Sequence, residues 1–177
     1  MQILSLDGIY KQTEKRGVIV SDYHVSHFAQ MYVVNETTGK HADSGSFNFS
    51  PKVPTGALLS IPAEFIPQAI EAKKIVMMYM RDLPIAGNPS NMLDNLTEYL
   101  MNPFLCDEVS FFLIKQTTAN MQQSSETRGW ELLNYVLSVK KPLRNLYSYV
   151  LYYIIQGVFS NETQVRLLIF IDCSCWV

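Results

Sequence analysis

The sequence predicts an all-α fold, a compact bundle of about six helices with an irregular N-terminal extension. From residue 51 onward, apolar side chains recur at intervals of three and four residues, as they do on the buried face of a helix. Prolines and a Gly-Asn-Pro-Ser cluster separate these segments, as expected at helix ends. The chain has 177 residues and is 48% hydrophobic, which suffices for one domain with a substantial core.

Residues 1–50 lack the helical pattern and are predicted to form the N-terminal extension. They contain short β-type runs at Gly17–Val20 and Met31–Val34, separated by Gly, Asn, Ser and Thr. The segment 38–46 has the composition of an exposed loop. The predicted division of the chain is therefore 1–50 and 51–177.

Six helices are predicted after a turn that begins at Pro62. Pro67 fits the first turn of the first helix, and the third helix is almost wholly apolar, which places it in the middle of a bundle. Ser124 or Ser125 is a candidate N-cap for the fourth helix, and Gly157 is a candidate C-cap for the fifth. The predicted ranges are 66–81, 91–101, 104–117, 124–139 and 142–157, with a last helix opening at 160–161.

Composition and charge exclude several classes of protein. The net charge of −2 gives no general reason to expect nucleic acid or an anionic membrane as a partner. The apolar run 146–155 is too short to span a bilayer. The three cysteines, Cys106, Cys173 and Cys175, do not form a disulfide framework in a chain of this length and are predicted to be reduced thiols.

The candidate chemical groups favour a structural interpretation over a catalytic one. Asp107 and Glu108 are predicted in the first turn of the third helix, where carboxylates meet the helix dipole favourably. Adjacent helical residues point about 100° apart, so these two do not converge on one substrate. A buried ion pair between Glu108 and Arg128 is predicted instead. His24 and His27 lack further ligands for zinc, so no catalytic, metal or cofactor site is predicted.

Several ordered motifs in this chain resemble the myosin tail homology 4 domain family. The acidic pair 107–108 is followed by Ile-Lys-Gln-Thr-Thr-x-Asn at 114–120 and by Arg-Gly-Trp-x-Leu-Leu at 128–133. Upstream, Leu58-Leu59 and the Tyr-Met-x-Asp sequence at 79–82 are similar to the opening of that domain. The segment Phe28–Tyr32 is similar to a stretch that often precedes the domain, and it favours a short helix from Asp22 to Tyr32.

The resemblance covers most of residues 22–157 and implies a helical bundle with a rigid polar corner. Trp130 is predicted to be a core anchor of that corner. The residues predicted to hold the corner are Glu108, Lys115, Gln116, Asn120, Arg128, Gly129 and Trp130. The chain departs from the family pattern after Asn120, which lacks the usual proline, and at Phe111-Phe112 and Val139–Leu143. The end of the chain, 167–177, does not match the family, so a truncated or divergent C-terminal end is predicted.

The resemblance also implies a non-enzymatic module that binds cytoskeletal partners, such as the acidic microtubule, in the cytoplasm. The residues predicted to bind the partner form two basic clusters, which are Lys73, Lys74 and Arg81 on the first helix and Lys140, Lys141 and Arg144 before the fifth. A merely solvated face is the alternative interpretation of these charges. An alternative function is the targeting part of a Rho GTPase-activating protein in signal transduction. The sequence leaves the oligomeric state open.

Overall fold

The computed structural model describes residues 24–33, 47–85 and 91–160. Within these ranges the fold is all-α, as the sequence predicts, with a 3-10 turn at Ala63–Phe65 and an isolated antiparallel bridge between Val33 and Leu59. The six helices are α1 Val25–Tyr32, α2 Ile66–Met80, α3 Met92–Leu100, α4 Pro103–Thr117, α5 Gln123–Val139 and α6 Arg144–Ser160.

The ends of α2 and α4 are set by residues that the sequence makes conspicuous. Pro67 occupies the first turn of α2, and Arg81 ends the helix in a left-handed conformation with φ of 66°. Asn102 caps α4, because its side-chain oxygen accepts a hydrogen bond of 2.9 Å from the backbone N–H of Phe104. The predicted boundaries of these two helices are confirmed to within one residue.

Three predictions about helix ends are wrong. Helix α5 begins at Gln123 without a side-chain cap, and Ser125 is buried inside its first turn. Helix α6 begins at Arg144 and continues through Gly157 to Ser160, so Gly157 is not a C-cap. Helix α4 begins at Pro103, which puts Asp107 beyond its first turn. The last predicted helix, opening at 160–161, lies outside the described residues.

Helix α4 is the centre of the bundle. It packs against α2, α3, α5 and α6, and eleven of its fifteen residues are buried. An element surrounded on all sides has no solvated face, which explains why its sequence is apolar throughout. Among the described helices, none combines the length and apolarity needed to cross a bilayer.

The lead-in helix α1 packs against α6 and joins the main core. Its Phe28 ring lies 5.1 Å from the Tyr149 ring and 5.3 Å from the Phe111 ring, measured between centroids. The helix predicted for residues 22–32 is thereby confirmed over its described part. The β-type run at Gly17–Val20 lies outside the described residues, and the division of the chain at residue 50 stays a prediction.

Candidate functional site

A buried ion pair joins the two central helices. Lys73 of α2 and Glu108 of α4 both have side chains that are 0% exposed, and Lys73 Nζ lies 2.9 Å from Glu108 Oε1. An isolated charge at such a site would be strongly unfavourable. Each of these charges is therefore tolerated because the other one neutralises it.

The same pair fastens the irregular segment that precedes α2, residues 47–61, which we call the strap. Glu108 Oε1 accepts a hydrogen bond of 2.7 Å from Leu58 N, and Oε2 accepts one of 2.8 Å from Leu59 N. Lys73 Nζ also donates to Gly56 O. We call Lys73, Glu108 and these three backbone positions the clamp. Its charge-assisted hydrogen bonds fix the entry of the chain into the bundle.

The clamp corrects two predictions. Lys73 was predicted on an exposed basic surface, but it is buried in the clamp and therefore does not face a partner in this structure. The predicted Glu108–Arg128 pair is also wrong, because Glu108 pairs with Lys73. Arg128 instead donates from Nη1 to Ser124 O at 3.1 Å and lies beside Asp82. The packing of α2 against α4 brings Lys73, and not Arg128, within ion-pair distance of Glu108.

A second polar cluster, residues 115–130, forms the corner between α4 and α5. Lys115 Nζ donates to Asn48 O at 2.5 Å, and Gln116 Nε2 donates to Ser50 O at 3.1 Å. The backbone N–H of Phe49 donates to the carbonyl of Thr118 at 2.9 Å. The corner therefore holds the beginning of the strap, while the clamp holds its end.

Asn120 organises the turn of the corner. Its Nδ2 donates to Gln116 O at 3.1 Å and to Ser125 Oγ at 3.0 Å, and its Oδ1 accepts from Gln122 N at 2.9 Å. The preceding Ala119 has φ of 53°, a left-handed conformation that is strained for a residue with a side chain. The Asn120 side chain stabilises this turn by replacing missing backbone partners at both helix ends.

The apolar side of the corner is closely packed. The Trp130 ring is buried and stacks on the Tyr153 ring of α6, with centroids 5.0 Å apart and planes 5° apart. The Tyr153 hydroxyl shares a 2.8 Å hydrogen bond with Thr117 Oγ1. A Cβ placed on Gly129 would lie 2.5 Å from Thr117 Cγ2 and 2.9 Å from Met80 Cε. Glycine is thus required because three helices meet there.

Burial shifts the pKa of several groups in the bundle. Burial raises the pKa of Asp82, while the Ser125 hydroxyl and the Arg128 guanidinium partly oppose the shift. Neither Asp82 oxygen makes a hydrogen bond of ordinary geometry within the described residues. Burial also raises the pKa of the Cys106 thiol to about 11, so this thiol is protonated and unreactive at neutral pH.

The predicted basic residues other than Lys73 lie at separate places on the surface. Lys74 is half-buried and pairs with Glu71 at 2.7 Å, and Arg81 is exposed at the end of α2. Lys141 is exposed, with Nζ 5.9 Å from the centre of the Tyr147 ring, and Lys140 Nζ donates to Met101 O at 2.7 Å. Arg144 begins α6, and the structure does not describe its side chain.

Two contacts of α2 show that the basic residues divide between opposite ends of the bundle. Met80, at the end of α2, meets Gly129 in the corner, so Arg81 lies at the corner end. Phe65, at the start of α2, stacks on Phe104, with centroids 5.9 Å apart. A fifteen-residue helix is about 22 Å long. We call residues 140–144 the basic linker, and it lies at the Phe65 end.

Side chains of α4 hold the backbone of the basic linker in place. Asp107 Oδ1 accepts a hydrogen bond of 2.8 Å from Leu143 N, just before α6 begins, and the Cys106 thiol lies 3.6 Å from Lys140 O. The sequence predicts that Asp107 interacts with the dipole of its own helix, α4, whereas in the structure its carboxylate binds the backbone at the start of α6. Only the tertiary contact between α4 and the linker could reveal this role.

Within the described ranges, no three His, Cys, Asp or Glu side chains come together in a way that could hold a metal ion. His24 and His27 are exposed at the start of α1, with ring centroids 6.4 Å apart. The distinctive geometry of this protein is therefore that of a rigid scaffold with a basic linker at one end.

Comparison with known proteins gives one family over the second half of the chain. Residues 93–172 match the MyTH4 domain family. Myosin-VIIa of Drosophila melanogaster is 34% identical over 87 residues, which cover 46% of this chain. The match spans 4% of that myosin's length.

Solved structures of myosin VII share the fold. The MyTH4-FERM MF1 domain of Dictyostelium discoideum myosin VII has a TM-score of 0.67 and 25% identity, covering 89% of this chain and 30% of its own. The human myosin 7b C-terminal MyTH4-FERM domain, solved in complex with the harmonin-a PDZ3 domain, has a TM-score of 0.67 and 23% identity, covering 81% and 30%. The resemblance predicted from the sequence is thereby confirmed: the chain is similar to the myosin tail homology 4 domain family in both sequence and fold.

Proposed function

We propose that this chain is a non-enzymatic cytoskeletal interaction module that binds microtubules or another acidic cytoskeletal partner through the basic linker. The observation that carries the proposal is the presentation of Lys140 and Lys141. Both lie on a connection between two helices that is held by the Asp107–Leu143 and Lys140–Met101 hydrogen bonds. Basic side chains on a rigid support lose less conformational freedom when they bind.

The matched relatives support a role in protein–protein interaction. The human myosin 7b MyTH4-FERM domain is solved in complex with a PDZ domain of harmonin, and further solved relatives are MyTH4-FERM domains of Dictyostelium discoideum myosin VII. This similarity supports the proposal that the chain acts in the cytoplasm, associated with the cytoskeleton.

The electrostatics require the attraction to be local. The whole chain carries a net charge of −2, so an acidic polymer is not attracted by the molecule as a whole. Exposed charges act over about 8–10 Å at moderate ionic strength. Binding through the basic linker should therefore weaken steeply as salt is added, mainly through a slower encounter.

Co-sedimentation with microtubules at low and high salt tests the proposal. We expect the chain to pellet at low salt and to be released at high salt. The triple variant Lys140→Glu, Lys141→Glu and Arg144→Glu should lose binding. The single variant Lys141→Glu should bind more weakly than the parent chain, and Lys52→Glu, on the exposed part of the strap, is its matched charge control and should bind normally.

Three further outcomes are decisive. Equal loss of binding in the Lys52→Glu control and in Lys141→Glu would mean that net charge, not the basic linker, drives the interaction. Absence of salt-dependent pelleting would remove microtubules as the partner. Arg81→Glu tests the opposite end of the bundle, and loss of binding there alone would move the surface to the corner.

The alternative function, targeting within a Rho GTPase-activating protein, remains a prediction. Catalysis of that kind needs an arginine supplied by a separate activating domain. The protein sequence encoded after residue 177 distinguishes the two, because a GTPase-activating domain there would favour the alternative, and a FERM domain there would favour the myosin-like arrangement.

A further inference from the structure

Three large apolar side chains are exposed at the same end of the bundle as the basic linker. Met101 is 53% exposed, Phe104 is 41% exposed and Leu143 is 51% exposed. We call these three the apolar patch. Single exposed apolar residues are common on protein surfaces, but a cluster of them marks an interaction site.

Hydrogen bonds bring the members of the patch together. Lys140 Nζ reaches the carbonyl of Met101 at 2.7 Å, which ties the end of the basic linker to the turn between α3 and α4. Asp107 accepts from Leu143 N at 2.8 Å. Phe104 is three residues before Asp107 on α4 and therefore lies on the same face of that helix. The turn, the start of α4 and the linker thus form one continuous surface.

The patch is held in place before any partner binds. Phe104 stacks on Phe65, with planes 26° apart, and Asn102 caps the helix beside it. The linker backbone is fixed at Leu143 by Asp107. An interface built on such elements loses little entropy on binding, which favours affinity.

The charges around the patch favour an acidic partner. Lys140 and Lys141 lie beside it, and α6 begins with Arg144. On the acidic side, Asp107 is engaged with the backbone of Leu143, and Glu98 is exposed one turn before Met101. The basic residues are concentrated on the linker beside Leu143, whereas Glu64 and Glu98 are exposed on other elements. Complementary charge gives orientation and speed of encounter, while an apolar contact slows dissociation.

We propose that the apolar patch and the basic linker together bind an acidic peptide segment that carries a large apolar side chain. The apolar side chain docks among Met101, Phe104 and Leu143, and its flanking carboxylates face Lys140 and Lys141. This inference rests on the proposed function in that it uses the same basic linker, and it adds an apolar requirement that electrostatic binding alone does not have.

Fluorescence anisotropy with two labelled peptides tests the inference on the full chain. One peptide is a Glu-rich sequence with a central Phe, and the other has Ala in place of that Phe. We expect the Phe peptide to bind about tenfold more tightly, the order of effect for burying one large apolar side chain. Leu143→Ser and Phe104→Ser should each abolish this preference.

Met121→Ser is the matched control, because Met121 is 95% exposed on the corner, at the other end of the bundle. It should bind both peptides as the parent chain does. Circular dichroism of each variant must match the parent. Leu143→Ser is the safer of the two patch variants, since Leu143 lies outside the helices and its backbone N–H is kept.

The outcomes separate this inference from the proposed function. If reversing the basic linker abolishes microtubule binding but both peptides bind equally, the apolar requirement is wrong and the proposed function survives. If the Phe peptide binds and microtubules do not pellet, the partner class stands and the polymer is wrong. Binding to phosphatidylserine vesicles without a preference between the peptides would assign the patch to a membrane and overturn the proposal. Dimers of the parent chain that Leu143→Ser dissociates would assign the patch to a second copy and also overturn it.

Discussion

The two ends of the strap are fastened by different chemistry. At residues 56–59 the clamp uses a buried ion pair, Lys73 with Glu108, to bind backbone groups. At residues 48–50 the corner uses Lys115, Gln116 and backbone groups at a half-buried site. Both regions tie the same segment to the same helix, α4.

The difference shows where a polar interaction can be removed without a large decrease in the free energy of unfolding. At the clamp both charges are fully buried, so removing one strands the other where water cannot reach it. At the corner, a lost hydrogen bond exposes groups that water can partly solvate, so each loss is smaller. The clamp is therefore expected to act as a unit, and the corner as a set of separable contacts.

The largest expected effect comes from breaking the clamp. Glu108→Gln should lower the free energy of unfolding by about 3–5 kcal/mol, because Lys73 is left charged and unpaired. The double variant Lys73→Met with Glu108→Gln should lose much less than the sum of the single variants. Denaturant unfolding of all four proteins measures this coupling.

The exposed ion pair of Lys74 with Glu71, which lies on α2 like Lys73, is the control for that experiment. Lys74 and Glu71 are 2.7 Å apart but reach solvent, so removing either should cost less than about 1 kcal/mol. Additive effects at Lys73 and Glu108 would contradict the view of the clamp as one unit.

The next largest effect tests the packing of the corner. Gly129→Ala should cost about 1–3 kcal/mol, because the new methyl group would lie too close to Thr117 Cγ2. Thr117→Ser removes that methyl and keeps the hydroxyl. Thermal unfolding should therefore show that Gly129→Ala is less harmful in a Thr117→Ser background. An equal cost in both backgrounds would place the origin elsewhere.

A loss of similar size is expected at the turn of the corner. Asn120→Ala should destabilise the protein by about 1–3 kcal/mol, since Gln122 N and Ser125 Oγ lose their buried partner. Asn120→Asp keeps the acceptor for Gln122 N but places a carboxylate oxygen against the Gln116 carbonyl at a buried site, so at neutral pH it should cost more than Asn120→Ala. If Asn120→Asp is the more stable of the two in urea, the accepted bond matters more than the donated ones.

The smallest effect concerns Asp82 and depends on pH. Its pKa is raised by burial above the ordinary value of 3.8, so the folded protein holds this proton to higher pH than the unfolded chain does. Below about 3.8 both states are protonated and Asp82 costs no stability. As the pH rises through the folded pKa, the buried carboxylate ionises and stability is lost.

Asp82→Asn should therefore stabilise the protein at neutral pH relative to the parent chain. The gain should vanish as the pH falls below the ordinary pKa of aspartate. Urea unfolding of both proteins at several pH values measures the difference. A gain that is the same at every pH would show that ionisation of Asp82 is not its cause.

Much of the fold could be predicted because the relevant signals are local. The helices at 66–80 and 103–117 follow from apolar spacing and from prolines at their starts. The burial of Trp130 follows from its place on an apolar face. The predicted start of α6 at Pro142 is wrong. The helix begins at Arg144, directly after Leu143, whose backbone N–H bonds to Asp107.

The sequence by itself determined the helical periods, the polar corner and the family resemblance, since each depends on residues that are close along the chain. Only the tertiary structure decided which charges meet. Glu108 binds backbone groups up to 50 residues away, and Lys73 is buried beside it although Lys74 is not. A one-residue step rotates a side chain about 100° around its helix, so neighbouring lysines face the core and the solvent according to what packs against the helix.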